Sequence, residues 1–132
     1  MTEYERIAKD FCKKHGVTVA FRLLGNEANA NWKETQERPH YKVTIKRAGR
    51  QMTVDFWDSI FSKENGTTPT EYDIFACLEK YEIGTFLDFC LDYCLDDDSI
   101  RARNLWKACK RQYNALQRVF TPEQLDELRE IN

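Results

Sequence analysis

YKVTIKRAGRQMTVDF, residues 41–56, decides the fold because it can pair with itself about a two-residue turn at Ala48-Gly49. In that register one side of the hairpin is apolar: Ile45 faces Met52, Val43 faces Val54 and Tyr41 faces Phe56. The alternate pairs are polar or of opposite charge: Lys46 with Gln51, Thr44 with Thr53 and Lys42 with Asp55. A slip of one residue would reverse both faces, so the sequence predicts this register and an apolar sheet face that needs cover.

The segments on either side supply that cover. Residues 2–15 carry apolar side chains at helical spacing, residues 17–24 alternate like a third strand, and residues 25–40 are polar and predict a long loop. Helices are then predicted from Thr68-Pro69 to Gly84, after Thr85, over residues 99–120 and after Thr121-Pro122. Residues 1–132 are therefore predicted to form one α+β domain, a three-stranded antiparallel sheet with an N-terminal helix and about four C-terminal helices packed over it.

Composition indicates a globular protein of a reducing compartment. The chain has 132 residues, of which 42% are hydrophobic and 32% charged, and no apolar run approaches the roughly 18 residues of a membrane span. Its charged N-terminus is not typical of a signal peptide. Five cysteines without a CxxC pair favour free thiols and a cytoplasmic location. All five fall on apolar stripes and are predicted to pack in the core: Cys12, Cys77, Cys90, Cys94 and Cys109.

Charge is strongly segregated along the chain. Residues 51–98 carry 12 acidic and 2 basic side chains, although the net charge of the whole chain is only −2. The predicted acidic surface comprises Glu79, Glu82, Asp88, Asp92, Asp96, Asp97 and Asp98. Like charges four residues apart on a helix repel each other, so something should offset them. Two explanations are open: neutralisation by the basic helix that follows, or a cationic surface of a host protein or ribonucleoprotein that binds there.

A basic helix face offers an alternative function. The side chains that share this face of the helix at residues 99–120 are Arg103, Lys107, Lys110, Arg111, Asn114 and Arg118, and Lys42, Lys46, Arg47 and Arg50 crowd the hairpin. Basic stripes of this kind can bind phosphates, which predicts a nucleic-acid-binding accessory protein. A pI near 5.7, the acidic segment nearby and the frequency of solvated basic helix faces argue against it.

Catalytic signatures are not found in the sequence. There is no GxSxG, phosphate-binding loop, HExxH or dinucleotide fingerprint, so we expect no enzyme activity, no metal and no cofactor. The two histidines, His15 and His40, fall at a helix end and at a strand start. Asp55, Asp58 and Asp73 could form an acidic cluster for a metal, but Lys42 faces the first and the last lies in a helical first turn.

Trp32 is the other candidate contact for a partner. It lies in the polar loop between Asn31 and Lys33. An exposed tryptophan is a natural anchor of a protein interface, whereas a buried one would simply pack against the sheet. The sequence leaves both interpretations open.

Three segments resemble a family of small uncharacterised bacteriophage and prophage proteins: DFWDS (55–59), TPTEYDIFACLEKYEIGTFLDFC (68–90) and RVFTPEQLDELREI (118–131). The resemblance covers most of the chain, but its motifs are caps, glycine stops and core aromatics. It implies an origin in a mobile element and action in a bacterial cytoplasm. Because small proteins from such elements often inhibit host defence, it also implies an inhibitor, including one with anti-CRISPR activity. The expectation is therefore a non-catalytic inhibitor that binds a host defence complex through its acidic surface.

Overall fold

The computed structural model describes residues 1–78 and 84–131. Within these ranges helix α1 (Glu3–His15) precedes strands β1 (Val17–Glu27), β2 (Arg38–Arg47) and β3 (Arg50–Trp57). The remaining helices are α2 (Ile60–Asn65), α3 (Glu71–Cys77), α4 (Phe86–Asp92), α5 (Ile100–Val119) and α6 (Pro122–Ile131). The strands form one antiparallel sheet in the order β1-β2-β3, which confirms the predicted α+β fold. The short helix α2 is an addition to the predicted elements.

The hairpin has the predicted register, from Arg47 opposite Arg50 to Tyr41 opposite Phe56. Its turn residues Ala48 and Gly49 both have positive φ, 51° and 76°. Such turns match the right-handed twist of the two strands they join. The apolar face is buried at Val43, Ile45, Met52 and Val54, as the cross-strand pairing predicts.

Strand β1 is longer, and the loop shorter, than predicted. Pairing with β2 continues beyond Leu23 to Glu27, across a register shift between Leu23 and Gly25. Gly25 has φ 144°, a conformation available mainly to glycine, so the chain can add a residue there without losing the sheet. Between β1 and β2 the structure has one 3-10 turn at Ala30–Trp32.

The core lies between the apolar sheet face and the helices. Phe11 of α1 contacts Phe75 of α3, with ring centroids 5.5 Å apart, and Phe120, which directly follows α5, at 6.1 Å. Leu116 of α5 and Leu125 of α6 are buried in the same cluster. Helix α5 also reaches β3, where Gln112 Nε2 donates to the Thr53 carbonyl at 3.3 Å. The helices therefore cover the sheet as the sequence predicts.

Helix starts follow the capping residues, with one correction. The N-cap of α3 is Thr70, whose side chain forms a capping box with Asp73, and not the predicted Thr68. The Thr70 backbone N–H and hydroxyl both donate to the Asp73 carboxylate, at 2.7 Å and 3.3 Å, which fixes the start of α3 at Thr70. The predicted continuation of this helix to Gly84 crosses residues 79–83, outside the described part of the chain. Thr85 and Ser99 cap α4 and α5 at the predicted positions.

The cysteines are mostly but not all in the core. Cys12, Cys90 and Cys109 are buried and Cys77 is half-buried, but Cys94 is exposed, which corrects the prediction for that residue. Cys94 directly follows Tyr93, the C-cap of α4, and has φ 54°, so the chain turns away before its side chain can reach the core. Burial, together with the Glu71 carboxylate, raises the pKa of Cys12 to about 12. That thiol is protonated at neutral pH and suited to packing.

Candidate binding surfaces

The acidic surface of the described residues consists of Asp88, Asp92, Asp96, Asp97 and Asp98, all exposed. Asp88 lies in the first turn of α4 and Asp92 is its last residue. The other three form the turn that leads to Ser99, the N-cap of α5. Glu79 and Glu82, which the sequence adds to this surface, lie outside the described residues.

These carboxylates form no ion pair with any cation in residues 1–78 and 84–131. Asp96, Asp97 and Asp98 each bring one oxygen within 4.8 Å of the others, which concentrates negative charge. One of them, Asp96, accepts the Asp98 backbone N–H at 3.0 Å. Burial and the charges of Asp97 and Asp96 raise the pKa of the Cys90 thiol. Internal neutralisation by the basic helix is thus not seen in the described part of the chain.

Helix electrostatics accounts for only part of this acidic surface. Asp96, Asp97 and Asp98 precede the N-terminus of the 20-residue helix α5, where the dipole favours negative charge. Asp88 has the same advantage in the first turn of α4. Asp92 lies at the opposite end of α4, where the dipole disfavours a carboxylate, and one turn from Asp88. The placement of Asp92 has no compensating contact in the described residues.

Two exposed leucines accompany these acids, a feature that the sequence reasoning missed. Leu87 is 56% exposed and Leu91 is 71% exposed, one helical turn apart on α4 and each next to an aspartate in sequence. Ile100, just after the acidic turn, is 77% exposed. The sequence contained a signal for this exposure, because Leu87 and Leu91 do not belong to the helix stripe that contains the buried Phe89 and Cys90. Exposed apolar groups rimmed by charge are typical of protein interaction sites.

The predicted basic face is exposed on α5. Arg103, Lys107, Arg111 and Arg118 point to solvent without an acidic partner among the described residues. Lys110 is half-buried, with its ammonium 5.5 Å from the centroid of the Trp106 ring. At 100° per residue these side chains lie opposite the buried Cys109 and Leu116.

The basic residues of the hairpin are largely used inside the fold. Arg47 donates to the Val119 carbonyl and Arg50 donates to the Arg118 carbonyl at 3.0 Å, so both satisfy the C-terminal end of α5. Lys42 pairs with Asp55 at 3.6 Å, as predicted. Lys46 is exposed and forms no ion pair with an acid among the described residues.

Trp32 is half-buried and packs on α4. Its ring centroid lies 5.2 Å from Tyr93 and 6.3 Å from Phe89. It therefore ties the loop between β1 and β2 to the helices, and the interpretation as a projecting interface anchor does not describe its position.

His40 occupies a site that sequence spacing did not reveal. Its Nδ1 lies 2.6 Å from Glu27 Oε2 and its Nε2 lies 3.0 Å from Asp55 Oδ1. Both contacts are hydrogen bonds only when each ring nitrogen carries a proton. The ring also stacks on Trp57, with centroids 4.0 Å apart and an interplanar angle of 3°. The extra residues of β1 beyond the register shift bring Glu27 to this site.

The remaining candidate acids have structural roles. Asp58 is buried and accepts hydrogen bonds from the Ser59 backbone and the Ser62 hydroxyl, at the start of α2. Asp73 completes the capping box of α3. These two and Asp55 thus have separate partners, and within the described ranges the structure does not bring them together as a metal cluster.

Comparison of the chain with protein-family models, curated proteins and solved structures found no match. Among the helices of the described residues, none is both long and apolar enough to cross a lipid bilayer.

Proposed function

We propose that this is a non-catalytic binding protein that docks its acidic surface onto a cationic surface of another protein. The observation that carries the proposal is the set of five exposed carboxylates without an ion-pair partner among the described residues. A field of this sign steers a basic partner and fixes its orientation. Leu87 and Leu91 supply the apolar contact area that charge alone does not.

The partner that we propose is a host defence ribonucleoprotein in the bacterial cytoplasm, with the protein acting as a phage- or prophage-encoded inhibitor of the anti-CRISPR kind. Support comes from the resemblance of residues 55–59, 68–90 and 118–131 to phage proteins and from the chemistry of the surface. A nucleic-acid channel is lined with lysine and arginine that bind phosphate. Closely spaced carboxylates such as Asp96, Asp97 and Asp98 present a comparable density of negative charge to such a channel.

The test is replacement of Asp88, Asp92 and Asp96 together by Asn. After affinity capture from a bacterial lysate that contains defence complexes, the retained complex is purified and titrated with wild type and variant at several salt concentrations. We expect weaker binding by the variant and a smaller salt dependence, because fewer charges contribute. A matched control removes three exposed acids elsewhere, as Asp10→Asn, Glu64→Gln and Glu130→Gln, and should bind like wild type.

A second variant separates charge from apolar contact. Leu91→Ser removes the more exposed of the two α4 leucines without changing any charge. We expect weaker binding with an unchanged salt dependence, because a lost apolar contact is not screened. Equal affinity of wild type, the triple Asn variant and Leu91→Ser would show that the partner uses another surface.

The alternative is a phage nucleic-acid-binding accessory protein. The observation in its favour is the basic face of α5, where Arg103, Lys107, Arg111 and Arg118 are exposed without an ion-pair partner among the described residues and the half-buried Lys110 lies beside them. The test is a gel shift at low salt with single- and double-stranded DNA, using Arg103→Gln/Lys107→Gln as the variant. A shift that the variant loses supports this function, and the absence of any shift at low salt contradicts it.

A further inference from the structure

A cleft lies between the loop that contains Trp32, the end of β3 and one side of α5. Its volume is about 190 Å³. By comparison, a dry cavity of about 150 Å³ is enough to hold a benzene ring. The residues that matter for its chemistry are Asn29, Trp32, Asp55, Trp57, Arg111 and Gln112. The floor includes Leu105 and Ala108 of α5, so an apolar ring can be seated between polar groups.

Two side chains of this cleft carry buried polar atoms that have no hydrogen-bond partner within residues 1–78 and 84–131. They are Oδ1 of Asn29, a residue only 7% exposed, and the indole Nε1 of Trp57. Buried polar groups are nearly always paired, so each of these atoms needs an explanation. The stack on His40 fixes the Trp57 ring, so its N–H is held in one direction as a donor. Asn29 offers an amide, which can accept and donate.

The rim of the cleft is cationic. Arg111 is exposed, and no acid among the described residues forms an ion pair with it. Asp55, which also lines the cleft, already contacts His40 at 3.0 Å and Lys42 at 3.6 Å, so its charge is compensated. An anionic group of a ligand is therefore attracted to Arg111, because a guanidinium binds phosphate or carboxylate through paired N–H donors.

We propose that this cleft binds a pyrimidine nucleotide unit, with the base near Asn29 and Trp57 and the phosphate at Arg111. A single planar ring suits the volume, and the edge of a pyrimidine base presents both donors and acceptors to an amide and an indole N–H. Solvent does not reach the two unpaired atoms, so binding requires lining side chains to move, and Gln112 of the same lining is held by one 3.3 Å bond to the Thr53 carbonyl. The site does not depend on the acidic surface.

The experiment is a titration of the intact protein with uridine monophosphate. Binding is monitored by the change in tryptophan fluorescence. We expect saturable quenching, because Trp32 and Trp57 both line the cleft. Trp57→Phe keeps an aromatic ring, although a smaller one, and removes the N–H. It should weaken binding by at least about fivefold, the effect of one hydrogen bond, as measured by calorimetry. Arg111→Gln should weaken binding about tenfold, the effect of a charge-assisted bond. Lys13→Gln is the matched control, because Lys13 is an exposed cation on α1 and does not line the cleft.

A short oligouridylate strand distinguishes a free nucleotide from one within a chain. If the strand binds more tightly than the monophosphate and Arg103→Gln weakens that binding, the cleft belongs to a strand that runs along α5. If strand and monophosphate bind equally, the cleft binds the free nucleotide. Either result requires that Trp57→Phe and Arg111→Gln weaken binding. The proposal is overturned if neither probe binds saturably to the wild-type protein, or if both variants leave binding unchanged. In that case ordered water is the partner of the two polar atoms.

Discussion

At the scale of single residues, the contact between α1 and α6 shows how hydrogen bonds orient a histidine ring. Gln124 Oε1 accepts the Thr121 backbone N–H at 2.9 Å, which orients the amide so that Nε2 faces His15 Nδ1 at 3.3 Å. Nδ1 then accepts, and the proton of the ring lies on Nε2, 3.0 Å from Glu127. This hydrogen bond, aided by the Lys14 ammonium, lowers the pKa of Glu127.

Glu127→Gln is therefore expected to destabilise the protein in a pH-dependent way. A lowered folded-state pKa means that the carboxylate contributes stability above its ordinary pKa of 4.5 and loses that contribution as pH falls through the folded value. Urea unfolding should show the variant less stable than wild type at neutral pH, with a difference that shrinks as the pH falls below the ordinary carboxyl pKa of 4.5. Glu130→Gln, an exposed change on the same helix, is the control. A difference that is constant over this range would contradict the assignment.

Cys94 gives a second prediction at this scale. The residue is exposed and its backbone has φ 54°, where a side chain is disfavoured and glycine is not. Cys94→Gly should raise the free energy of unfolding by up to about 1 kcal/mol, because relief of the backbone strain exceeds the entropy that glycine adds. Thermal unfolding under reducing conditions measures the effect. A loss of stability would mean that the thiol has a structural contact.

At the scale of elements, the hairpin was predictable because each cross-strand pair independently favours the same register. The start of α3 and the end of β1 depend on hydrogen bonds and register, which the spacing of apolar residues does not reveal. Thr68 and Thr70 both precede plausible helix starts, and the Asp73 hydrogen bonds decide between them. Glu27 meets His40 because the register shifts near Gly25, and a glycine inside a strand pattern was the one signal of that irregularity. The acidic surface was predictable from the run of aspartates, and the exposure of Leu91 was also implied by its place outside the helix stripe that contains Phe89 and Cys90, although the prediction did not use it.

The hairpin turn supplies a prediction for an element. Ala48 adopts φ 51° in a turn that favours Asn followed by Gly. Ala48→Asn should stabilise the protein by about 0.5–1 kcal/mol, since asparagine tolerates this conformation better than alanine. Chemical denaturation measures the change. Ala48→Val is the opposing control and should destabilise, because a β-branched side chain is poorly accommodated at positive φ. The reverse order of the two variants would contradict the turn geometry.

At the scale of the whole molecule, the fold keeps its opposite charges apart. The acidic surface lies on α4 and the turn before α5, the basic face lies on the solvent side of α5, and the two share no ion pair in the described residues. A chain that needed only a stable fold would gain stability by forming ion pairs between the acidic surface and the basic face. Retaining both surfaces unpaired costs stability through like-charge repulsion, which is reasonable when a binding partner offsets it.

The free energy of unfolding of Asp92→Asn at low and high salt tests this account most directly, without any partner. Asp92 is exposed at the C-terminal end of α4, one turn from Asp88 and without an ion-pair partner among the described residues. We predict that the variant is more stable than wild type by about 0.3–1 kcal/mol at low salt, with a gain that fades as salt screens the charges. A variant less stable by about 1 kcal/mol or more would show that the fold itself uses this carboxylate, and the acidic surface would lose its role in binding.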